Sequence, residues 1–267
     1  MAEENSGAAQ EMRIKVAANG PYLVSGSVPL DEKIIRSEGH GYRWEDGRTF
    51  EQQESYALCR CGHSNTAPFC DGTHKKIGFI GRETASKQEY QDRVDYFEGP
   101  VIDLADDDRC AFARFCHAPD LEGNGSEAWS LAVKAENDEQ VELAKEIAGH
   151  CPAGRLTVRT HEGEFIEPDL EPGITIVQDP ERGVSSGIYV HGGIALEDSE
   201  GNEYELRNRY MLCRCGASRN KPYCDAFHVP MRYNDGFLPG AEAPEHPGTV
   251  SLGNPEVLSS PRSGEEA

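Results

Sequence analysis

The strongest constraint on this chain is a sixteen-residue segment that occurs twice. The first copy reads Cys59-Arg60-Cys61-Gly62-His63-Ser64-Asn65-Thr66-Ala67-Pro68-Phe69-Cys70-Asp71-Gly72-Thr73-His74. The second reads Cys213-Arg214-Cys215-Gly216-Ala217-Ser218-Arg219-Asn220-Lys221-Pro222-Tyr223-Cys224-Asp225-Ala226-Phe227-His228. Nine of the sixteen positions are identical, and no residue is gained or lost. Each copy holds three cysteines and one histidine separated by one, eight and three residues. A polynuclear metal site imposes such spacing, because its ligands must meet fixed bond lengths and angles.

Thiolates and imidazole suit zinc or the iron of an iron–sulfur cluster. Structural zinc usually takes its first pair from cysteines two to four residues apart; here Cys59/Cys61 and Cys213/Cys215 leave one residue between. All four ligands of a set also fall within one short segment, whereas a zinc finger places two pairs on separate elements. A 2Fe–2S rhomb needs two ligands at each of two irons. The Cys-x-Cys pair can serve one and the Cys/His pair the other. Cys70 and His74, like Cys224 and His228, stand four residues apart, on one face of a helical turn. Asp71 and Asp225 are placed to cap that turn. Ser64/Ser218 and Pro68/Pro222 read as loop-shapers, with the serine hydroxyl a candidate donor to cluster sulfur.

Both segments resemble the CDGSH iron–sulfur family, the NEET proteins. Its motif is Cys-x-Cys, two residues, Ser/Thr, three residues, then Pro-x-Cys-Asp-Gly-Ser/Ala/Thr-His. The first copy fits throughout; the second keeps every ligand but has Ala226 and Phe227 where the motif has glycine and a small residue. The resemblance implies one 2Fe–2S cluster per copy, held by Cys59, Cys61, Cys70 and His74 and by Cys213, Cys215, Cys224 and His228. It also implies small β-rich units which, as two copies in one chain, can pair with each other.

The repeat extends beyond the ligands. Tyr210-Met211-Leu212 precedes Cys213 as Tyr56-Ala57-Leu58 precedes Cys59, and Ser186–Leu196 resembles Gly20–Leu30. Gly236-Phe237 is taken as the counterpart of Gly78-Phe79. The expected organisation is therefore an internal duplication, with one unit over 12–82 and a second over 172–238. Residues 12–28 read as a hairpin turning at Asn19-Gly20-Pro21. A polar stretch with Tyr42 and Trp44 as its buried members follows. Residues 1–11 and the Pro/Gly/Ser/Glu-rich 239–267 read as disordered.

Residues 90–165 are different. A helix near 138–148 is expected from Asn137 as N-cap, Gln140 three residues on, an apolar stripe, and Gly149 as its stop. Cys110, Cys116 and Cys151-Pro152 keep the first, third and distal positions of the Cys-x2-Cys-x2-Cys…Cys-Pro pattern of bacterial ferredoxins, with Ala113 in the middle one. This resembles the divergent mono-cluster ferredoxin-like domain that accompanies CDGSH motifs in some bacterial proteins. Three thiolates suit a 3Fe–4S cluster, or a 4Fe–4S cluster whose open iron is held by another group such as His117 or His150. The alternative is a ferredoxin-like domain that has lost its cluster. Asp106-Asp107-Asp108 reads as a solvated turn rather than a cation site.

The fold class expected is α+β: two β-rich units flanking a ferredoxin-like α+β segment. A formal charge of −21 argues against nucleic acid, which needs a basic patch. Nearly all the excess acid lies beyond residue 82, where it keeps the protein soluble or faces a basic redox partner. No run approaches the ~20 apolar residues of a membrane span, and no export signal is evident. A reduced, cytoplasmic protein is expected. The role these features favour is non-catalytic: electron transfer, cluster transfer to an acceptor protein, or redox sensing. The rivals are a small oxidoreductase working at the middle cluster and a structural zinc scaffold.

Overall fold

The computed structural model describes residues 11–240; the stretches expected to be disordered lie almost wholly outside the described residues. In chain order the first strands are β1 (Arg13–Val16), β2 (Tyr22–Ser25), β3 (Leu30–Glu38), β4 (Gly41–Thr49) and β5 (Ser55–Leu58). A one-turn helix α1 (Thr73–Lys76) follows the first ligand segment. The middle of the chain supplies β6 (Asp95–Phe97), β7 (Ile102–Asp106), β8 (His117–Pro119), β9 (Gly125–Glu127), α2 (Ala128–Val133), α3 (Asp138–Gly149), β10 (Leu156–Thr160) and β11 (Phe165–Ile166). The last strands are β12 (Gly173–Asp179), β13 (Val184–His191), β14 (Ala195–Glu197) and β15 (Arg209–Leu212).

β1 and β2 form the expected hairpin, with Arg13 opposite Ser25 and Val16 opposite Tyr22. The two copies then exchange strands. β14 of the second copy lies parallel to β1, with Leu196 opposite Ile14, in a sheet of order β14-β1-β2-β5. Reciprocally, β3 of the first copy lies parallel to β12, with Leu30 opposite Ile174, in a sheet of order β15-β13-β12-β3-β4. Apolar residues of both copies therefore fill one core, where Ile14, Tyr22, Leu58, Ile174, Ile188 and Leu212 are all buried. Burial of these side chains, at about 25 cal/mol per Å² of apolar surface removed from water, stabilises the two copies together.

The stretch expected to be merely polar forms the longest hairpin of the chain, β3–β4. Its charged residues hide the strand signal because they pair across the hairpin: Arg36 donates to Glu45 at 3.0 Å. Trp44 is only partly buried, and its ring stacks 4.2 Å from that of Phe115 in the middle segment.

That segment is itself α+β. An antiparallel sheet of order β11-β10-β7-β6 carries α2 and α3, with Leu104, Ala144 and Val158 fully buried between them. α3 starts where the sequence places it: the Asn137 side chain accepts from Gln140 N at 3.1 Å, and Gln140 Oε1 accepts from Glu136 N at 2.8 Å. Gly149 forms its last residue rather than following it. Arg209, fully buried, ties the segment to the second copy by donating to Cys151 O, Ala148 O and Leu156 O at 2.8–3.1 Å.

Candidate metal centres

Each ligand segment starts from the end of a strand, β5 or β15, and doubles back over it. Cys59 N donates to Pro68 O (2.7 Å) and Cys70 N to Ala57 O (2.9 Å); Cys213 N to Pro222 O and Cys224 N to Met211 O, both 2.8 Å, repeat the pattern. The loop between is built by side chains that accept from backbone N–H groups. Asp71 accepts from Asn65 N and Thr73 N, both at 3.0 Å, and Asp225 from Arg219 N (2.8 Å) and Phe227 N (3.2 Å). These carboxylates thus link the loop to the histidine-bearing turn. Burial opposes ionisation of Asp71, yet the N–H groups of Asn65 and Thr73 hold its carboxyl well below the usual range.

The serines act differently from expectation. Ser64 Oγ donates to Phe69 O at 2.5 Å and Ser218 Oγ to Tyr223 O at 2.7 Å, so neither hydroxyl proton is free for sulfur. A carbonyl is the stronger acceptor, and the loop's reversal presents one. It is the backbone N–H of Ser64 and of Ser218 that bears on Cys59 and Cys213.

The ligand atoms come together in pairs. Cys59 Sγ and Cys61 Sγ lie 3.8 Å apart, and Cys213 Sγ and Cys215 Sγ 3.7 Å. Cys70 Sγ lies 3.3 Å from His74 Nδ1, and Cys224 Sγ 3.5 Å from His228 Nδ1. Two thiolates bonded at ~2.3 Å to one tetrahedral metal stand roughly 3.8 Å apart, and a thiolate and an imidazole nitrogen roughly 3.5 Å. All four pairs fit that geometry. Among the described residues no three Cys, His, Asp or Glu side chains converge on a single metal ion. A centre with two metals, each taking one pair, matches this arrangement. Within each Cys-x-Cys pair the hydrogen bond between the sulfurs draws the Cys59 and Cys213 thiols down and pushes those of Cys61 and Cys215 up.

Sequence reasoning missed Arg60 and Arg214, the residues between the paired cysteines. Both guanidiniums are buried, at 1% and 2% exposure. Arg60 donates to Gly81 O and Ala17 O beneath the first loop; Arg214 donates to Ser186 O (2.7 Å) and Val177 O (2.9 Å) and pairs with Asp235 beneath the second. Each lies over an aromatic ring five residues past the ligand histidine, Phe79 at 5.8 Å and Tyr233 at 5.6 Å. Each guanidinium also has a carboxylate partner, Glu83 at 3.8 Å and Asp235, so a buried ion pair braces each loop. The signal was available, since arginine is identical in both copies. The same geometry corrects the repeat alignment. Phe79 N donates to His74 O and Tyr233 N to His228 O, so Tyr233, not Phe237, is the counterpart of Phe79.

The two centres differ in their surroundings. Cys70 is partly exposed, while His74 is the buried residue of α1, at 9% exposure. Cys224 and His228 are each only 2% exposed. Cys224 packs with Ala111, Ala113, Phe115 and Ala153, so the middle segment covers this edge. His228 Nε2 faces Ser186 Oγ at 3.3 Å. Burial, with the Arg214 charge beside it, pushes the imidazole down to about 4. The loops also touch: a Cβ added to Gly62 would lie 2.5 Å from Cys215 O, and one on Gly216 2.6 Å from Cys61 O. Tyr22 of the first copy donates to Cys213 O at 2.8 Å; its counterpart in the second copy, Ile188, has no hydroxyl to reciprocate.

Cys110, Cys116 and Cys151 line one small pocket of about 30 Å³ that opens to solvent, with Ala113, Trp129 and Arg155 in its wall. Phe112 N–H donates to Cys110 Sγ at 3.4 Å. The loop carrying them holds Phe112 and Arg114 at φ of 59° and 68°, left-handed conformations that non-glycine residues rarely adopt. Burial, then the neighbouring Cys151 and Cys110, pushes the Cys116 thiol up to about 12. Neither His117 nor His150 lines this pocket. Their nearest acidic neighbours are Glu127 (3.4 Å) and Glu146 (4.0 Å), and both side chains are close to half exposed. Asp106 and Asp107 are not solvated either: Asp106 holds Arg155 and Trp129 Nε1, and Asp107 holds Arg93 at 2.9 Å.

No helix among the described residues is long and apolar enough to cross a membrane. No curated protein and no solved structure matches the chain. One family model does, that of the iron-binding zinc finger of CDGSH type, over residues 19–75 and 186–229. Both ligand segments lie inside these stretches, and the segment with Cys110, Cys116 and Cys151 lies outside them. The two ligand-bearing parts of this chain therefore match the CDGSH iron-binding family, a match that supports an iron–sulfur protein.

Proposed function

We propose that the chain holds two 2Fe–2S clusters, one on Cys59, Cys61, Cys70 and His74 and one on Cys213, Cys215, Cys224 and His228. The role we assign is non-catalytic, in electron transfer or in delivery of a cluster to an acceptor protein. The observation that carries this reading is the pairwise spacing of the ligand atoms, two tetrahedral half-sites per loop. A cluster so held supplies one-electron chemistry, and a neutral imidazole in place of a thiolate raises its potential relative to an all-cysteine site. The protein's own part is to place the Arg60 and Arg214 charges beneath the loops and to fix each histidine ring. The mutual contact of Gly62 and Gly216 supports pairing of the two units within one chain.

The unequal burial supports a division of labour. The first centre has Cys70 partly exposed and is suited to exchange; the second, with Cys224 covered by Ala111, Ala113 and Phe115, is suited to retention.

A third cluster in the middle segment is favoured by one specific observation, the meeting of Cys110, Cys116 and Cys151 around one pocket with a backbone N–H aimed at Cys110 sulfur. Three thiolates suit a 3Fe–4S cluster or a 4Fe–4S cluster with one iron not held by cysteine, and the space of about 30 Å³ between them would have to widen to admit it.

The test is an ultraviolet–visible spectrum of anaerobically purified protein, with iron, sulfide and zinc measured on the same sample. About four irons with equal sulfide support the two 2Fe–2S centres alone, and about seven or eight add the third. Zinc without sulfide overturns the reading in favour of a structural scaffold. Turnover of a substrate that vanishes in Cys116→Ala, with both 2Fe–2S spectra intact, would instead make the protein an oxidoreductase.

A further inference from the structure

The chain as a whole carries a formal charge of −21, but the surface beside the open centre has the opposite sign. Immediately after His74 come Lys75, Lys76, Ile77 and Gly78, all exposed, and then Ile80 and Arg82, also exposed. Ile77 is 46% and Ile80 77% exposed, the latter the largest value among the large apolar side chains described. The ion pairs recorded in this segment belong to Arg60 with Glu83 and Lys87 with Asp198, so among the described residues Lys75, Lys76 and Arg82 are unpaired. Lys75 is close enough for its charge to act on the Cys70 thiol. The neighbouring carboxylates are engaged: Asp71 is bound to Asn65 and to Thr73 N, and Glu83 to Arg60 and Ser199. Past this segment Thr84 donates through its hydroxyl to Arg219 O at 2.7 Å, and the Arg219 side chain, 80% exposed, is paired with Asp225 at 3.6 Å.

Two exposed isoleucines interspersed with unpaired cations, in the segment that follows the ligand pair with the partly exposed Cys70, have the make-up of an interface: apolar contact area and charge. At physiological salt the Debye length is about 8 Å, so a docking partner responds to this local charge rather than to the net charge of the molecule.

We propose that the surface formed by Lys75, Lys76, Arg82, Ile77 and Ile80 is the docking site for an acidic electron-transfer protein that reaches the first centre over its Cys70–His74 edge. The proposal rests on reading that centre as a 2Fe–2S site. The partner gives up one electron and one iron of the centre is reduced from Fe(III) to Fe(II); no bond is made or broken. A protein partner is favoured over an extended polyanion because the patch is short and the surrounding charge is negative.

The experiment uses the full-length holoprotein at 0.1 M salt with two probes: an acidic plant-type ferredoxin, reduced for stopped-flow and oxidised for calorimetry, and basic ferricytochrome c as acceptor from the reduced protein. Lys75→Glu/Lys76→Glu is compared with Lys134→Glu/Lys145→Glu, which changes the net charge equally on the middle segment. The patch variant is expected to lose about tenfold in both rate and binding constant with ferredoxin and to gain with cytochrome c, while the control changes each less than about threefold. Ile80→Ser is expected to weaken ferredoxin binding without altering the spectrum. Equal effects of the two double variants would overturn the docking site while leaving the iron–sulfur reading intact. So would binding to phosphatidylserine vesicles, lost in the patch variant, with ferredoxin unaffected. A protein lacking the iron–sulfur spectrum would overturn both together.

Discussion

Gly62 faces the backbone of Cys215 so closely that a Cβ would sit 2.5 Å from its carbonyl oxygen, and Gly216 stands in the same relation to Cys61. Each centre is therefore one wall of the other. Both glycines also hold left-handed φ, 81° and 80°, so a side chain would be strained even with room for it. Gly62→Ala should destabilise the protein by about 3 kcal/mol, combining backbone strain with a clash against a backbone that cannot yield. One substitution should loosen both centres, seen as loss of more than half the visible absorbance on mild heating. Gly72→Ala, at φ 85° but with nothing within 4 Å of the added carbon, should cost about 1 kcal/mol and affect the first centre only.

The second copy departs from the motif at Ala226, which nevertheless keeps the left-handed turn, at φ 63° against 85° for Gly72. Relieving that strain with Ala226→Gly should stabilise the protein by about 1 kcal/mol and raise its thermal midpoint by a few degrees. An unchanged or lower midpoint would mean that the alanine methyl contributes packing that outweighs the strain.

Cluster loss should be biphasic. A chelator or mild acid should empty the first centre while the second persists, because Cys224 and His228 are covered by the middle segment. Phe115→Ala removes a ring 5% exposed and stacked on Trp44; it should cost about 3 kcal/mol and accelerate the slow phase far more than the fast one. His74→Cys should lower the potential of one centre only, read by a redox titration that resolves two steps.

Asp235 is buried against Arg214, Gln178 and Ser185 under the second loop. Burial opposes its ionisation, but the Arg214 guanidinium outweighs this and holds the carboxyl down to about 2. A carboxyl depressed from about 4 to about 2 contributes about 2.5 kcal/mol that is fully present above pH ~5 and is lost as pH falls through 4 towards 2. Asp235→Asn, which leaves Arg214 buried without its counter-charge, should be less stable by about 3 kcal/mol near neutrality. In denaturant melts at stepped pH, the gap between variant and parent should close through that window. A gap constant from pH 7 to 2 would show that Asp235 is not the titrating partner.

Much of the chemistry was legible without coordinates. Three cysteines and a histidine at identical gaps, repeated once, point to a metal centre because bond geometry restricts spacing directly along the chain. The Asn137–Gln140 cap and the turn at Asn19-Gly20-Pro21 were equally readable, since each is a contact between near neighbours in sequence.

The exchange of strands was not legible. Ile14 lies opposite Leu196 and Ile174 opposite Leu30, and a parallel pairing across such separations leaves no local pattern. Nor did β3 and β4 announce themselves, because their charges look solvent-facing until they pair across the hairpin.

The sequence by itself determined which atoms can bind metal and that they come as two sets. Only the tertiary structure decided that the two sets share one core, that Arg60 and Arg214 lie buried beneath them, and that the middle segment covers one centre while a basic, apolar patch borders the other. The physical reason is the range of the interactions involved. Coordination and capping act over a few residues, whereas burial and surface charge are sums over whatever the fold brings near.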